Sequence, residues 1–131
     1  MENNCYTFKE LNFNCGFLDD SCDITYIVHL EGNGRLENIY NQLSTYQPTK
    51  KVIILFNKGY KKCNKKLKEY IPRYDLIDCY ITVFNHAKNY NNILILEDNF
   101  IFSDKILDNN ITNDINIFIF SRLLTLYSNT I

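Results

Sequence analysis

Three polar side chains, Glu97, Asp98 and Asn99, directly follow a short apolar run at residues 93–96. Such a run of branched aliphatic residues is typical of a strand buried on both faces, as in parallel sheets covered by helices. Ligands of open α/β sheets bind outside the carboxyl ends of the strands, so this trio would stand at a site. Its oxygen atoms suit Mg²⁺ or Mn²⁺, which proteins often share with substrate phosphates. The alternative is a polar turn between two strands.

The apolar run belongs to a chain in which strand and helix patterns alternate. This alternation favours parallel strands joined by right-handed crossovers, and we predict an α/β, Rossmann-like fold with a mostly parallel sheet flanked by helices. Glycines and prolines separate the elements. The predicted strands are 23–30, 51–56 and 93–96, and the predicted helices are 36–43, 61–70 and 76–90.

The two ends of the chain show weaker patterns. Residues 1–22 carry scattered aromatics without a sustained period, which predicts irregular structure or a short hairpin. Residues 23–131 are predicted to form a single domain. Residues 111–131 form either a last helix or an abnormal end, and their apolar run, broken by Arg122, is too short to span a membrane.

Two further places could meet a phosphate or a nucleotide. Gly32 and Gly34 precede Arg35, but this pattern lacks the third glycine and the lysine of the known phosphate loops. A simple turn is the alternative, with Arg35 still near a strand end. Asp75 and Asp78 stand at the start of a predicted helix, where negative charge is favourable and Asp75 is the expected N-cap.

Charge and cysteine usage restrict the partners and the compartment. The net charge of −1 and the pI of about 6.1 give no basic field for nucleic acid or for an anionic membrane. The five cysteines include no C-x-x-C pair, and no signal peptide is recognisable at the N-terminus. We therefore expect reduced thiols and a cytoplasmic protein. His86 lies among apolar neighbours and is interpreted as a packed histidine rather than a base.

The segment Leu76 to Ser103 resembles the helix and metal-binding strand of glycosyltransferase family 25-like enzymes, in which a helix leads into a Leu-Glu-Asp-Asp sequence. In this chain the corresponding residues are Leu96 to Asn99. The resemblance covers roughly residues 23–115. Large DNA viruses encode many such proteins, so a viral origin, with the host cytoplasm or the virion as location, is implied.

This resemblance implies a GT-A nucleotide-diphospho-sugar transferase fold and a manganese-dependent, hexosyltransferase-type transfer. Glu97, Asp98 and Asn99 would then bind Mn²⁺ or Mg²⁺. A nucleotide-sugar donor would lie near Arg35, Asp75 and Asp78. The acceptor, the donor sugar and the catalytic residue remain unassigned.

The chain departs from the family pattern at two points. Asn99 stands where the family has an aspartate, and an amide brings no charge to a metal. Few residues follow the motif, so the domain is expected to be C-terminally truncated, with weakened or absent activity. The alternative function is a non-catalytic α/β interaction module or degenerate paralogue that recruits a protein partner through an open sheet edge.

Overall fold

A computed structural model describes residues 5–102 and 118–121 of the chain. These residues form five strands and two helices. The strands are β1 (Tyr6–Asn12), β2 (Ile24–Leu30), β3 (Lys51–Asn57), β4 (Asn92–Glu97) and β5 (Phe118–Ser121), and the helices are α1 (Leu36–Thr45) and α2 (Pro72–His86).

All five strands belong to one mixed sheet with the order β1-β3-β2-β4-β5. The central strands β3, β2 and β4 are parallel, with Ile27 of β2 opposite Ile54 on one side and Leu96 on the other. The outer strands β1 and β5 run antiparallel to their neighbours. The prediction of an α/β fold with a parallel central sheet is therefore confirmed, and the antiparallel edges make the sheet mixed.

The two helices cover opposite faces of this sheet. Ile39 and Leu43 of α1 pack with Ile27, whereas Cys79 and Val83 of α2 pack with a second cluster on the other face. Because both faces are covered, β2 carries buried side chains from Ile24 to His29 instead of alternating with polar ones. Each fully buried large aliphatic side chain contributes about 1.5–3 kcal/mol, so these two clusters hold the sheet between its helices.

The position of β2 makes it the switch point of the sheet. The chain passes from β2 through α1 to β3 on one side, and then through α2 to β4 on the other side. Successive crossovers in opposite directions place their helices on opposite faces when both are right-handed. A crevice therefore opens between the carboxyl ends of β2 and β4, in an arrangement compatible with a Rossmann-like fold.

Several predicted elements differ from the structure. Residues 6–12, predicted to be irregular or a short hairpin, form β1, which pairs with β3. The predicted basic helix 61–70 is wrong, because turns and bends fill this segment. Pro72, expected to end that helix, instead begins α2, where its missing N–H costs nothing. Within the predicted helix or abnormal end at 111–131, the structure describes only residues 118–121, which form β5.

Two cysteines are paired. Cys5 and Cys63 form a disulfide between chain positions 58 residues apart, which corrects the expectation that all five thiols are reduced. Cys15, Cys22 and Cys79 are free thiols. The odd number and irregular spacing concealed the pair, because the pairing depends on β1 lying beside the segment that follows β3.

Within the described part of the chain, no helix is both long enough and apolar enough to cross a membrane.

Candidate functional site

A crevice of about 460 Å³ lies at the carboxyl ends of the parallel strands. Its size is within the range of pockets that hold small molecules and cofactors. Strand ends and the loops that follow them form its walls, as expected for a switch point. Residues from all three central strands contribute, together with the start of α2: His29, Asn57, Asp75, Glu97, Asp98 and Asn99 are among those that line it.

The floor of the crevice is built around the carboxylate of Asp98, which is only 5% exposed. Its Oδ2 atom lies 2.8 Å from Nδ1 of His29 and accepts a hydrogen bond of 2.6 Å from Nδ2 of Asn33. Its Oδ1 atom lies 3.3 Å from Nη1 of Arg35. The carboxylate therefore has donors on both oxygens, and every donor comes from β2 or from the loop that follows it.

The loop between β2 and α1 is shaped to deliver these donors. Gly32 and Gly34 have φ values of +83° and +79°, a left-handed conformation that glycine adopts without strain. Between them, Asn33 donates its side-chain amide to Asp98 and accepts the backbone N–H of Arg35 at 3.0 Å. The Gly-Asn-Gly-Arg sequence is thus a turn, as the simpler interpretation predicted, and it also aims Arg35 at the crevice.

A second polar cluster lies on the α2 side of the crevice, around the ammonium group of Lys65. The Lys65 side chain is 1% exposed, and its Nζ lies 2.6 Å from Oδ1 of Asp75. It also donates to Oδ1 of Asn57 at 2.7 Å and to the hydroxyl of Tyr6 at 2.6 Å. Asn57 in turn donates to Oδ2 of Asp75 at 2.8 Å. A buried charge pair of this kind persists only when hydrogen bonds satisfy its remaining groups, as they do here.

Burial raises the pKa of three groups on β1 and α2. Burial, followed by the hydrogen bond to Asp78, raises the pKa of Tyr6 far above its usual value. Burial raises the pKa of the Cys79 thiol, which lines the crevice, to about 11. Burial and then the charge of Glu97 raise the pKa of Tyr80 to about 12. All three groups are protonated at neutral pH, so Cys79 is a poor nucleophile there.

Five of the six predicted site residues line the crevice, and the four outside α2 differ in their freedom. Glu97 and Asn99 are exposed, whereas Asp98 is buried in its cage of donors and Arg35 is partly engaged by it. The segment also forms the polar turn of the alternative interpretation, because the backbone N–H of Phe100 donates to the carbonyl of Glu97 at 3.0 Å. The two interpretations are therefore compatible, because the residues that form this turn also line the crevice.

The two helix aspartates belong to the Lys65 cluster. Asp75 lines the crevice, but it is not the N-cap of α2, which is Ile71. It lies instead in the first turn with its carboxylate committed to Lys65 and Asn57. Asp78 accepts the hydroxyl of Tyr6 and is not among the residues that line the crevice. Nucleotide binding by this pair stays a prediction, with the geometry favouring a structural role.

The three predicted metal ligands differ in how free they are to bind a cation, and binding of Mn²⁺ or Mg²⁺ by them stays a prediction. Both oxygens of Asp98 already face donors, one of them the guanidinium of Arg35, which would repel a divalent cation. Glu97 and Asn99 are exposed, and Mg²⁺ usually takes one or two carboxylates from a protein, with water and substrate phosphates as its other ligands. Among the described residues, no group of three or more His, Cys, Asp or Glu side chains could hold a metal ion.

Several residues of the site were not predicted from the sequence, among them His29, Asn33 and Lys65. His29 is a polar residue at the carboxyl end of a strand that is otherwise nearly all apolar, and that interruption was a usable signal. Asn33 looked like an ordinary turn residue. Lys65 is one of five lysines between positions 61 and 68, and nothing in the sequence distinguishes the buried lysine from its exposed neighbours.

Comparison with known proteins adds no relative. Neither a protein-family model, nor a curated protein, nor a solved structure matches this chain. The resemblance of residues 23–115 to family 25-like glycosyltransferases thus stays a prediction, and the function is argued from the crevice itself.

Proposed function

We propose that the crevice binds a nucleoside diphosphate sugar, and that the chain is a glycosyltransferase-like protein of GT-A type. The observation that carries the proposal is the meeting of Arg35 with the segment Glu97 to Asn99 at the switch point of a doubly wound sheet. The resemblance of residues 23–115 supports the same ligand class. A crevice of about 460 Å³ has room for a small-molecule ligand.

The chemistry that follows from such binding is positioning and neutralisation of charge. In sugar transfer, the bond between the sugar and the diphosphate breaks, and negative charge develops on the departing diphosphate. Cationic groups fixed in advance at that place stabilise the transition state more than they stabilise the ground state. Arg35 suits this task because its guanidinium is half exposed and is held in place by Asp98.

The alternative, an interaction module that works through a sheet edge, has less support. β1 is the outer strand on one side of the sheet, and it carries the exposed charges Lys9 and Glu10. Charged side chains on an edge strand oppose pairing with a second chain. This function therefore remains a prediction without a specific contact to carry it.

Calorimetric titration with uridine diphosphate tests the proposal, with Arg35→Glu and Arg73→Glu as matched variants. Both arginines are exposed and both changes reverse one charge, but only Arg35 lines the crevice. We expect saturable binding by the native chain, about tenfold or more weakening in Arg35→Glu, and little change in Arg73→Glu. An absence of binding by the native chain would contradict the proposal.

A further inference from the structure

We propose that the crevice binds the diphosphate group without a divalent cation, using Lys58, Lys61 and Lys62 together with Arg35. The proposal rests on the function proposed above and deepens it, because it names the groups that neutralise the ligand. It departs from the manganese dependence that the sequence resemblance implies.

Asp98 serves as an anchor for the residues around it. Its carboxylate is buried, and its donors His29, Asn33 and Arg35 occupy both oxygens at 2.6–3.3 Å. Its backbone carbonyl also accepts a hydrogen bond of 3.1 Å from Asn38 of α1. A cation that used this carboxylate would have to displace hydrogen-bonded donors and approach a guanidinium. Asp98 thus fixes the β2–α1 loop.

Lys58, Lys61 and Lys62 follow β3 and line the crevice. We call these three residues the basic wall. All three are exposed, and none forms an ion pair within the described part of the chain. The ammonium of Lys62 lies about 4.0 Å from the place where a side chain on Gly32 would begin. Lys62 therefore reaches across the crevice to the loop that carries Arg35.

The acidic groups of the crevice do not cancel this wall. Asp75 is compensated by Lys65, and Asp98 by Arg35. The remaining carboxylates that line the crevice are those of Glu31 and Glu97. Among the described residues, three lysines without an ion pair thus outnumber two such carboxylates in the crevice, and a bound diphosphate would complete the charge balance.

The basic wall is held in place by contacts within the protein before any ligand arrives. The backbone N–H of Lys58 donates to the carbonyl of Cys5 at 3.0 Å, and that of Lys62 donates to the carbonyl of Gly59 at 3.1 Å. Directly after the wall, Cys63 is joined to Cys5, and the side chain of Lys65 is buried. A segment fixed at both ends loses less entropy on binding than a free loop would.

Calorimetry with uridine diphosphate tests the inference, first in EDTA and then in excess manganese. Three proteins are compared: the native chain, the double variant Lys61→Ala/Lys62→Ala and the control double variant Lys66→Ala/Lys68→Ala. Both double variants remove two exposed lysines from one segment, but Lys66 and Lys68 do not line the crevice. We expect binding in EDTA that manganese leaves unchanged, about tenfold or more weakening in the first variant, and native affinity in the second. Circular dichroism melts check that both variants fold.

The other outcomes separate the two proposals. Binding that requires manganese would overturn this inference and leave the proposed function intact, whereas no binding in either condition would overturn both. Equal weakening of binding in the two double variants would also overturn the inference. It would indicate that the ligand responds to the overall positive charge of the segment and not to the lysines that line the crevice. Inorganic diphosphate that binds as tightly as uridine diphosphate in EDTA would support the cation-free site and contradict nucleotide recognition.

Discussion

Nδ1 of His29 lies 2.8 Å from Oδ2 of Asp98, and both side chains are buried. The contact joins the carboxyl end of β2 to the turn that follows β4, across the point where the sheet reverses its strand order. With Asn33 and Arg35 on the same carboxylate, it makes the crevice floor a rigid polar unit. A rigid floor keeps the surrounding loops in place for a ligand.

Replacing Asp98 with asparagine should destabilise the chain, because an amide group would face donors that now meet a carboxylate. We expect a loss of about 1–3 kcal/mol in the free energy of unfolding, measured by urea denaturation. Glu97→Gln is the matched control, since this neighbouring carboxylate is exposed, and it should change stability by less than about 0.5 kcal/mol. Equal effects of the two changes would show that the Asp98 contacts contribute nothing special.

The Lys65 cluster predicts a strongly non-additive pair of substitutions. Lys65→Met leaves the buried carboxylate of Asp75 without its cation and should cost about 3–5 kcal/mol of stability. Replacing both residues, as Lys65→Met/Asp75→Leu, should cost less than the single change, because the buried charge of Asp75 is then gone and the other partner of Lys65, Asp78, is partly exposed to water. Lys66→Met, at an exposed neighbour, is the control. A double variant that is less stable than Lys65→Met would count against the buried pair.

Thiol labelling should distinguish three classes of cysteine. In the native protein at neutral pH, iodoacetamide should modify only Cys15, the exposed thiol, since Cys22 and Cys79 are buried. Burial also raises the pKa of both buried thiols to about 11, which keeps them protonated. Denaturation should add Cys22 and Cys79, and reduction should add Cys5 and Cys63. Mass spectrometry that finds all five labelled without reductant would contradict the disulfide.

The pH dependence of stability should carry a contribution from His86. Its ring stacks on Phe8 with centroids 4.0 Å apart, and its Nδ1 lies 2.7 Å from the hydroxyl of Tyr26, although the residue as a whole is exposed. Burial lowers its pKa from the ordinary 6.5. The imidazole of His86 therefore binds a proton more readily in the unfolded chain than in the folded one. Its contribution to the free energy of unfolding is complete above about pH 6.5 and declines as the pH falls toward the pKa of the folded state.

Thermal melts between neutral and mildly acidic pH measure this effect, with His86→Gln as the comparison. The native chain should lose more stability on acidification than the variant does. Parallel pH profiles would indicate that His86 titrates alike in the folded and unfolded chains.

The sequence predicted the central sheet because its signals are local. The strand at residues 24–30 is nearly all apolar, and α1 shows its apolar face at helical spacing before Pro48 ends the pattern. The sequence also placed Glu97 to Asn99 at the carboxyl end of such a strand, and these residues line the crevice. These features depend on which side chains of a short segment are buried, and the order of apolar and polar residues along that segment indicates this.

The incorrect predictions concern contacts between distant residues. The segment 61–70 carries many lysines, as surface helices often do, yet Cys63 pairs with Cys5 and Lys65 enters the interior to meet Asp75. Those two long-range contacts are incompatible with a solvated helix. β1 was missed for a similar reason, since its strand form depends on pairing with β3 along one edge of the sheet.

The most direct test of ligand binding at the switch point is a titration of the ¹⁵N-labelled chain with uridine diphosphate, followed by amide chemical shifts. We expect saturable shifts for the crevice amides of Gly59 and Asn99 and for Gly32 in the adjoining loop. Asp23 and Asn91, at the amino ends of the strands, should stay unchanged. Shifts confined to those distant amides, or no shifts at all, would contradict it.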